Sequence, residues 1–260
     1  MTQVLKLWPL LTATHRYDKS LSTRDRGHGQ IIQAPILAYL IETSNGRILF
    51  DVGCDYAKIA DPKLRADYYE NENFAFGAPD MQEPQRLPHH LAQLGLMPAD
   101  VDMVFLSHLH FDHAGGLCDV CGTEVHVQQD ELTAARTGED IAYFPSEFDG
   151  DYPWKLKQGE YDLVPGVRAV STPGHTAGHM SLWVEMPKGP PILLCGDAAD
   201  LTENLEQEIA PGLCWNDRTD LALESIRKLK RLGQEENANL WPNHDMAFFA
   251  TLRQFPLYHE

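Results

Sequence analysis

The segment from Ser107 to His113 reads SHLHFDH, with His108, His110, Asp112 and His113 falling within six residues of a 260-residue chain. Buried imidazoles and carboxylates each need a hydrogen-bond partner, so four in one turn cost stability unless a cation compensates. His108 and His110 are two apart, and an extended backbone projects both to one side, where they can bind one metal. Asp112 and His113 are adjacent, so their side chains diverge and can serve a second metal. Gly115-Gly116 is expected to give the chain freedom for a tight reversal into the next element.

Six residues cannot close two metal shells. Three further candidates each follow a strand-like run. His175 lies in the Pro/Gly-rich loop STPGHTAGH, Asp197 follows ILLCG, and His244 follows the run ending at Trp241-Pro242. Asp197 has two oxygens and could bridge both ions. Imidazole and carboxylate without thiolate suit Zn²⁺ first, with Mn²⁺, Fe²⁺ or Co²⁺ compatible. Two such ions would leave the site net positive, able to hold a hydroxide at neutral pH and to stabilise an oxyanion.

The elements that must position these residues are legible in outline. Residues 34–42 (APILAYLIE) and 47–51 (RILFD) are β-type runs joined by Thr43-Ser44-Asn45-Gly46, where Asn-Gly signals a hairpin. Residues 55–85 read as an irregular surface excursion and 86–96 as a helix. The apolar run 101–106 predicts a buried strand that delivers the chain into SHLHFDH. A strand is expected at 124–128 and a short helix at 131–136. Residues 138–160, carrying Tyr143, Phe144, Phe148, Tyr152 and Trp154, read as a loop or lid rather than core. Strands follow at 167–171, 180–185, 191–195 and 238–241. An amphipathic helix covers 219–232, with Asp217 or Thr219 as N-cap. Strands clustered in each half, with helices outside, suggest two sheets packed face to face in one domain spanning 1–260.

Bulk properties narrow the function. A net charge of −17, without a dense basic cluster, repels polyanions and argues against nucleic acid. Five cysteines are too sparse for a disulfide framework, and the lone pair Cys118/Cys121 reads as ordinary thiols. The short apolar stretch 4–11, interrupted by Lys6 and Pro9, is a poor signal peptide. No stretch reaches transmembrane length, so no membrane partner and a cytoplasmic location are expected.

The runs APILAYLIETSNGRILFDVG, SHLHFDHAGG, STPGHTAGHMSL, LLCGDAADLTEN and NHD together resemble the metallo-β-lactamase superfamily over nearly the whole chain. Within it, the sequence is most similar to the N-acyl-homoserine lactone hydrolases, the quorum-quenching lactonases. The resemblance implies an α+β, four-layer αββα sandwich. It implies that His108, His110 and His175 bind one metal, Asp112, His113 and His244 the other, and that Asp197 bridges them. Asp51, in the family's strand-end DxG position, would steady the ligands from behind, unless it is an ordinary turn aspartate. His179 would act likewise or be a satisfied core histidine. The implied reaction is opening of a small-molecule lactone by a metal-bridging hydroxide, with Asp112 shuttling the proton. A homodimer is also suggested. Asp200 departs from the family, which usually carries a Tyr there to hydrogen-bond the substrate carbonyl; Tyr143 is one candidate replacement. Another small lactone, a thioester or a phosphotriester is the alternative substrate, and a non-catalytic metal-stabilised binding protein the alternative class.

Overall fold

The run APILAYLI at 34–41 is apolar at every position, which a strand needs only when both its faces are buried. The computed structural model, which describes residues 3–137 and 140–260, shows why. Leu37, Tyr39 and Ile41 of β2 (Ile31–Thr43) face a second sheet, while Ala38 and Leu40 face the outer helices. The first sheet continues through β1 (Val4–Asp18), β2, β3 (Gly46–Phe50), β4 (Met103–Phe105), β5 (Glu124–Gln128) and β6 (Trp154–Lys157), in that spatial order. Its first three strands are antiparallel, and β3 through β6 are parallel.

The second sheet holds β7 (Tyr161–Val164), β8 (Val167–Ser171), β9 (Met180–Val184), β10 (Ile192–Leu194) and β11 (Asn239–Trp241). Its order is β11-β10-β9-β8-β7, antiparallel except for β10 with β11. Leu7, Phe50 and Phe105 of the first sheet meet Val167, Leu182, Leu194 and Trp241 of the second in one core. Outside the first sheet lie Leu87 and Leu91 of helix Leu87–Gln93 and Leu132 of helix Gln129–Thr137. Outside the second lie Leu205 of helix Thr202–Gln207 and Leu229 of helix Thr219–Glu235. The result is the αββα sandwich that the sequence implied. Among the described residues, no helix is long and apolar enough to cross a membrane.

Several local expectations are corrected. The stretch 4–11, which the sequence reading gave no element, begins a 15-residue strand paired along β2. The excursion 55–85 contains helices Tyr56–Ala60 and Pro62–Tyr69, the second capped by the Asp61 carboxylate on the N–H groups of Lys63 and Leu64. Residues 138–160 are not a loop outside the core. Residues 138 and 139 lie outside the described residues, but helix Pro145–Phe148 and edge strand β6 follow, and Tyr143, Phe144 and Phe148 are buried. Their aromatic area is what packs that segment down. Neither Asp217 nor Thr219 caps the long helix, whose N-cap is Arg218 without a side-chain bond.

Candidate metal centre

β4 is flanked by parallel neighbours on both sides, and its C-terminal end aims the chain at the rim of the sandwich. His110 has an extended backbone and precedes a one-turn helix, Phe111–Ala114. That turn itself carries Asp112 and His113, while His108 and His110 lie on the extended segment before it. Gly115 and Gly116 serve a different purpose from the one expected. Gly115 has an ordinary right-handed helical φ of −59°. A Cβ at Gly115 would stand 2.4 Å from the Asp55 nitrogen, and one at Gly116 2.0 Å from the Val52 carbonyl oxygen. These glycines therefore allow two backbone segments to touch.

β8, β10 and β11 run in one direction, so their C-terminal ends reach the same rim. His175, Asp197 and His244 follow those ends. Gly196 adopts φ +56°, and a Cβ there would come within 2.7 Å of His179 Nε2. Only glycine lets Asp197 turn inward at that point.

All seven sequence-predicted ligands meet. His108, His110 and His175 offer ring nitrogens mutually within 4.8 Å, and so do Asp112, His113 and His244 with one carboxylate oxygen. His175 Nε2 stands 3.1 Å from His110 Nδ1. Asp197 lies between the two groups. Its Oδ2 is 3.5 Å from His175 Nε2, 3.9 Å from His108 Nε2 and 3.2 Å from His244 Nε2, and its Oδ1 is 3.2 Å from His113 Nε2. Asp112 Oδ2 is 3.7 Å from both His113 Nε2 and His244 Nε2.

The donor set fits divalent cations. His108 Nε2 and His113 Nε2 are buried with no hydrogen-bond partner, a costly arrangement unless something else takes their lone pairs. Burial, with His113 and His110 nearby, holds the His108 pKa well below its ordinary value. Burial opposes charge on His244 as well, yet Asp197 raises it to about 10. Against its own burial, Asp197 is held well below the usual carboxylate range by His113 and His244. The centre is thus a set of lone pairs and opposed charges with deep burial, which a cation of +2 satisfies.

Behind the ligands stands a supporting layer. Asp51 is buried and accepts from the Ser107 N–H (2.7 Å), the Ser107 hydroxyl (2.8 Å) and His113 Nδ1 (2.8 Å). It is no ordinary turn aspartate. His179 holds both ring nitrogens in hydrogen bonds: Nδ1 donates to the Thr172 carbonyl at 3.1 Å, and Nε2 accepts from the Asp197 N–H at 2.9 Å. Burial pushes its pKa down to about 3, so it is a neutral brace. His244 Nδ1 donates to the Pro35 carbonyl at 2.8 Å, and His175 Nδ1 to the Leu213 carbonyl at 3.2 Å. Such bonds fix tautomer and ring orientation.

Three supporting side chains escaped the sequence reading. Glu131, fully buried, accepts from the N–H groups of Leu109 and Gly178 and from the Tyr143 hydroxyl at 2.9 Å, tying both histidine loops together. Asp140 reaches His110 Nε2 at 3.2 Å, and Asn243 donates to Asp197 Oδ1 at 3.1 Å. Glu131 and Asp140 sit far from any motif, so no spacing signals them. Tyr143 spends its hydroxyl on Glu131 and is therefore not the replacement donor. Asp200 is buried, with Oδ1 unpartnered, and burial followed by Asp197 raises its pKa to about 8.

A cavity of about 140 Å³ opens above the centre. His110, Asp112, His175, Asp197 and His244 form its floor, and Phe74, Phe111, Ala142 and Leu213 form apolar walls. A small molecule with one polar, reactive end and one apolar end fits this division.

Comparisons with known proteins agree with this geometry. Residues 32–244 match the family model of the metallo-beta-lactamase superfamily. An N-acyl homoserine lactonase from a Bacillus species is 35% identical over 232 residues, spanning 88% of this chain and 89% of that protein. Another from Bacillus cereus is 33% identical over 257 residues, spanning 98% and 99%. The solved structure of an N-acyl homoserine lactone hydrolase, with the product N-hexanoyl-L-homoserine bound at its catalytic metal center, superposes with a TM-score of 0.87 at 31% identity. That match covers 99% of this chain and 100% of the other. The chain belongs to the metallo-beta-lactamase superfamily and, within it, to the family of the N-acyl homoserine lactonases.

Proposed function

We propose that this protein hydrolyses N-acyl homoserine lactones to open-chain N-acyl homoserines, working as one domain with two divalent ions, Zn²⁺ by the character of its donors. The observation that carries this reading is Asp197, set between two ligand trios in which the buried Nε2 atoms of His108 and His113 lack hydrogen-bond partners. His108, His110 and His175 would hold one ion, and Asp112, His113 and His244 the other, with Asp197 shared. When bound, the ions supply Lewis acidity and lower the pKa of water to about 7.

The chain does the rest. Phe74, Phe111 and Leu213 seat the acyl chain and shield the reacting carbonyl from bulk water. Asp112 sits on the cavity floor with its side chain 15% exposed, more open than the other carboxylate of the floor, Asp197, at 7%. It can take a proton from the nucleophile and give it to the ring oxygen as the C–O bond breaks. Asp51, His179 and Glu131 hold the ligands so that little reorganisation is needed. The net charge of −17 keeps nucleic acid from the list of substrates, and five unpaired cysteines suit a reducing, cytoplasmic compartment.

The test is acid release at constant pH from a panel: short- and long-chain homoserine lactones, unrelated γ-lactones, a glutathione thioester and paraoxon. Release from the homoserine lactones well above the other members is expected. Activity confined to the thioester or the phosphotriester would overturn the reading. Full metal occupancy with no turnover of any member would point to a binding protein instead.

A further inference from the structure

The polar floor just described contributes carboxylates and imidazoles, all engaged with one another or available to cations. Charge that develops on a substrate oxygen away from the ions would need a neutral O–H or N–H donor. Among the described residues lining the cavity, Asn73 carries an amide and Tyr17 is the one that carries an alcohol or phenol hydroxyl. It lies next to the last residue of β1, paired with Ile32, and shares the cavity wall with Asp200 and His244.

Its hydroxyl is held in place. Tyr17 Oη is 2.9 Å from Ser22 Oγ. Ser22 is fixed in turn. Its N–H donates to the Lys19 carbonyl at 2.9 Å, and its carbonyl accepts from Asn204 Nδ2 at 2.9 Å, across from the other half of the chain. Both Ser22 and Asn204 are fully buried. The phenol ring also packs edge-on against His15 at 5.6 Å. A phenol with one bond to a fixed hydroxyl can keep that bond as acceptor and turn its own proton into the cavity. Burial, reinforced by Asp200, raises the Tyr17 pKa well above that of free phenol, so the proton stays on the oxygen.

We propose that the Tyr17 hydroxyl donates a hydrogen bond to an oxygen of the bound lactone, with Ser22 as the positioning residue that aims it. The proposal rests on the lactonase reading above. It assigns the role of substrate donor to the first half of the chain, on the wall where Asp200 presents only a carboxyl group.

The experiment compares wild type, Tyr17→Phe and Ser22→Ala for kcat and KM on N-hexanoyl homoserine lactone. Metal content per chain and calorimetric affinity for the ring-opened product are measured alongside. Tyr17→Phe keeps the ring and its packing, so it is expected to retain both ions and to lose roughly 10²-fold in kcat/KM, mostly in kcat. Product affinity should fall, and Ser22→Ala should show a smaller loss of the same kind. Introducing Asp200→Tyr into the Tyr17→Phe background should restore part of the rate by returning a hydroxyl to the same wall. A Tyr17→Phe enzyme with wild-type kcat and product affinity would overturn the proposal. If Tyr17→Phe fails to fold, a Ser22→Ala enzyme with unchanged kcat would overturn it equally. A wild type inactive on lactones would instead sink the underlying reading.

Discussion

The two halves of the chain supply the same centre in opposite ways. The first half offers four of the proposed ligands from one strand end, His108 to His113, and braces them mostly with its own residues: Asp51, Ser107 and Glu131. The second half offers the other three proposed ligands from three strand ends. It steadies two of them through distant partners, His244 on Pro35 and His175 on Leu213. Each trio takes two ligands from the first half and one from the second, and Asp197 joins both. Local density therefore builds half of the site, and sheet register builds the other half.

Removing Asp197 tests the junction between them. Asp197→Ala should lower activity by roughly 10³-fold and strip metal from both positions, read by elemental analysis and kinetics. Full retention of two ions would mean that the halves are not joined there. The next largest effects separate the contributions. His113→Ala and His244→Ala should lower metal content equally, to about one ion per chain. Retention of both ions by only one of the variants would show that the trio is not a unit.

Smaller effects probe the bracing. Glu131→Gln places an amide donor against a site that receives two N–H groups and one O–H. A loss of about 10–100-fold in metal affinity is expected, measured by competition with a chelator. Thr172→Val, behind His179, removes a neutral hydroxyl that bonds His179 Nδ1 and Ser181 Oγ, and should cost less than altering the charged Glu131. The reverse order would show that the second half is the more tightly built. Leu229→Ala, in the outer helix, should lower unfolding free energy by about 2–5 kcal/mol while leaving metal stoichiometry unchanged. Urea titration and metal analysis check the two parts.

This division also explains which parts of the site are legible in the sequence. The SHLHFDH run announces itself because no structural need concentrates such groups. His175, Asp197 and His244 are visible because each follows a strand, and the strand pattern survives in apolar runs. Glu131 and Asp140 are different. A buried carboxylate on a helix start looks like any solvated one until the opposing loop is seen to lack acceptors. Residues 138–160 misled for a related reason: Gly, Pro and aromatics spell a lid, yet the aromatics are buried against both Phe111 and the first-sheet core. The glycines after His113 misled in a further way, because close approach of backbones leaves no mark in the residue type.

The bond from His244 to the Pro35 carbonyl joins the last ligand of the chain to a strand near its beginning. Each sheet can gather its own strands, but neither ligand trio exists until the sheets dock. Cation capture thus reports docking rather than the folding of either half. Once captured by these residues, ions would act as cross-links between distant parts of the chain, and their binding free energy would become folding free energy. Metal depletion in a cell would therefore loosen the seam between the sheets and shorten the protein's lifetime, as well as silence it.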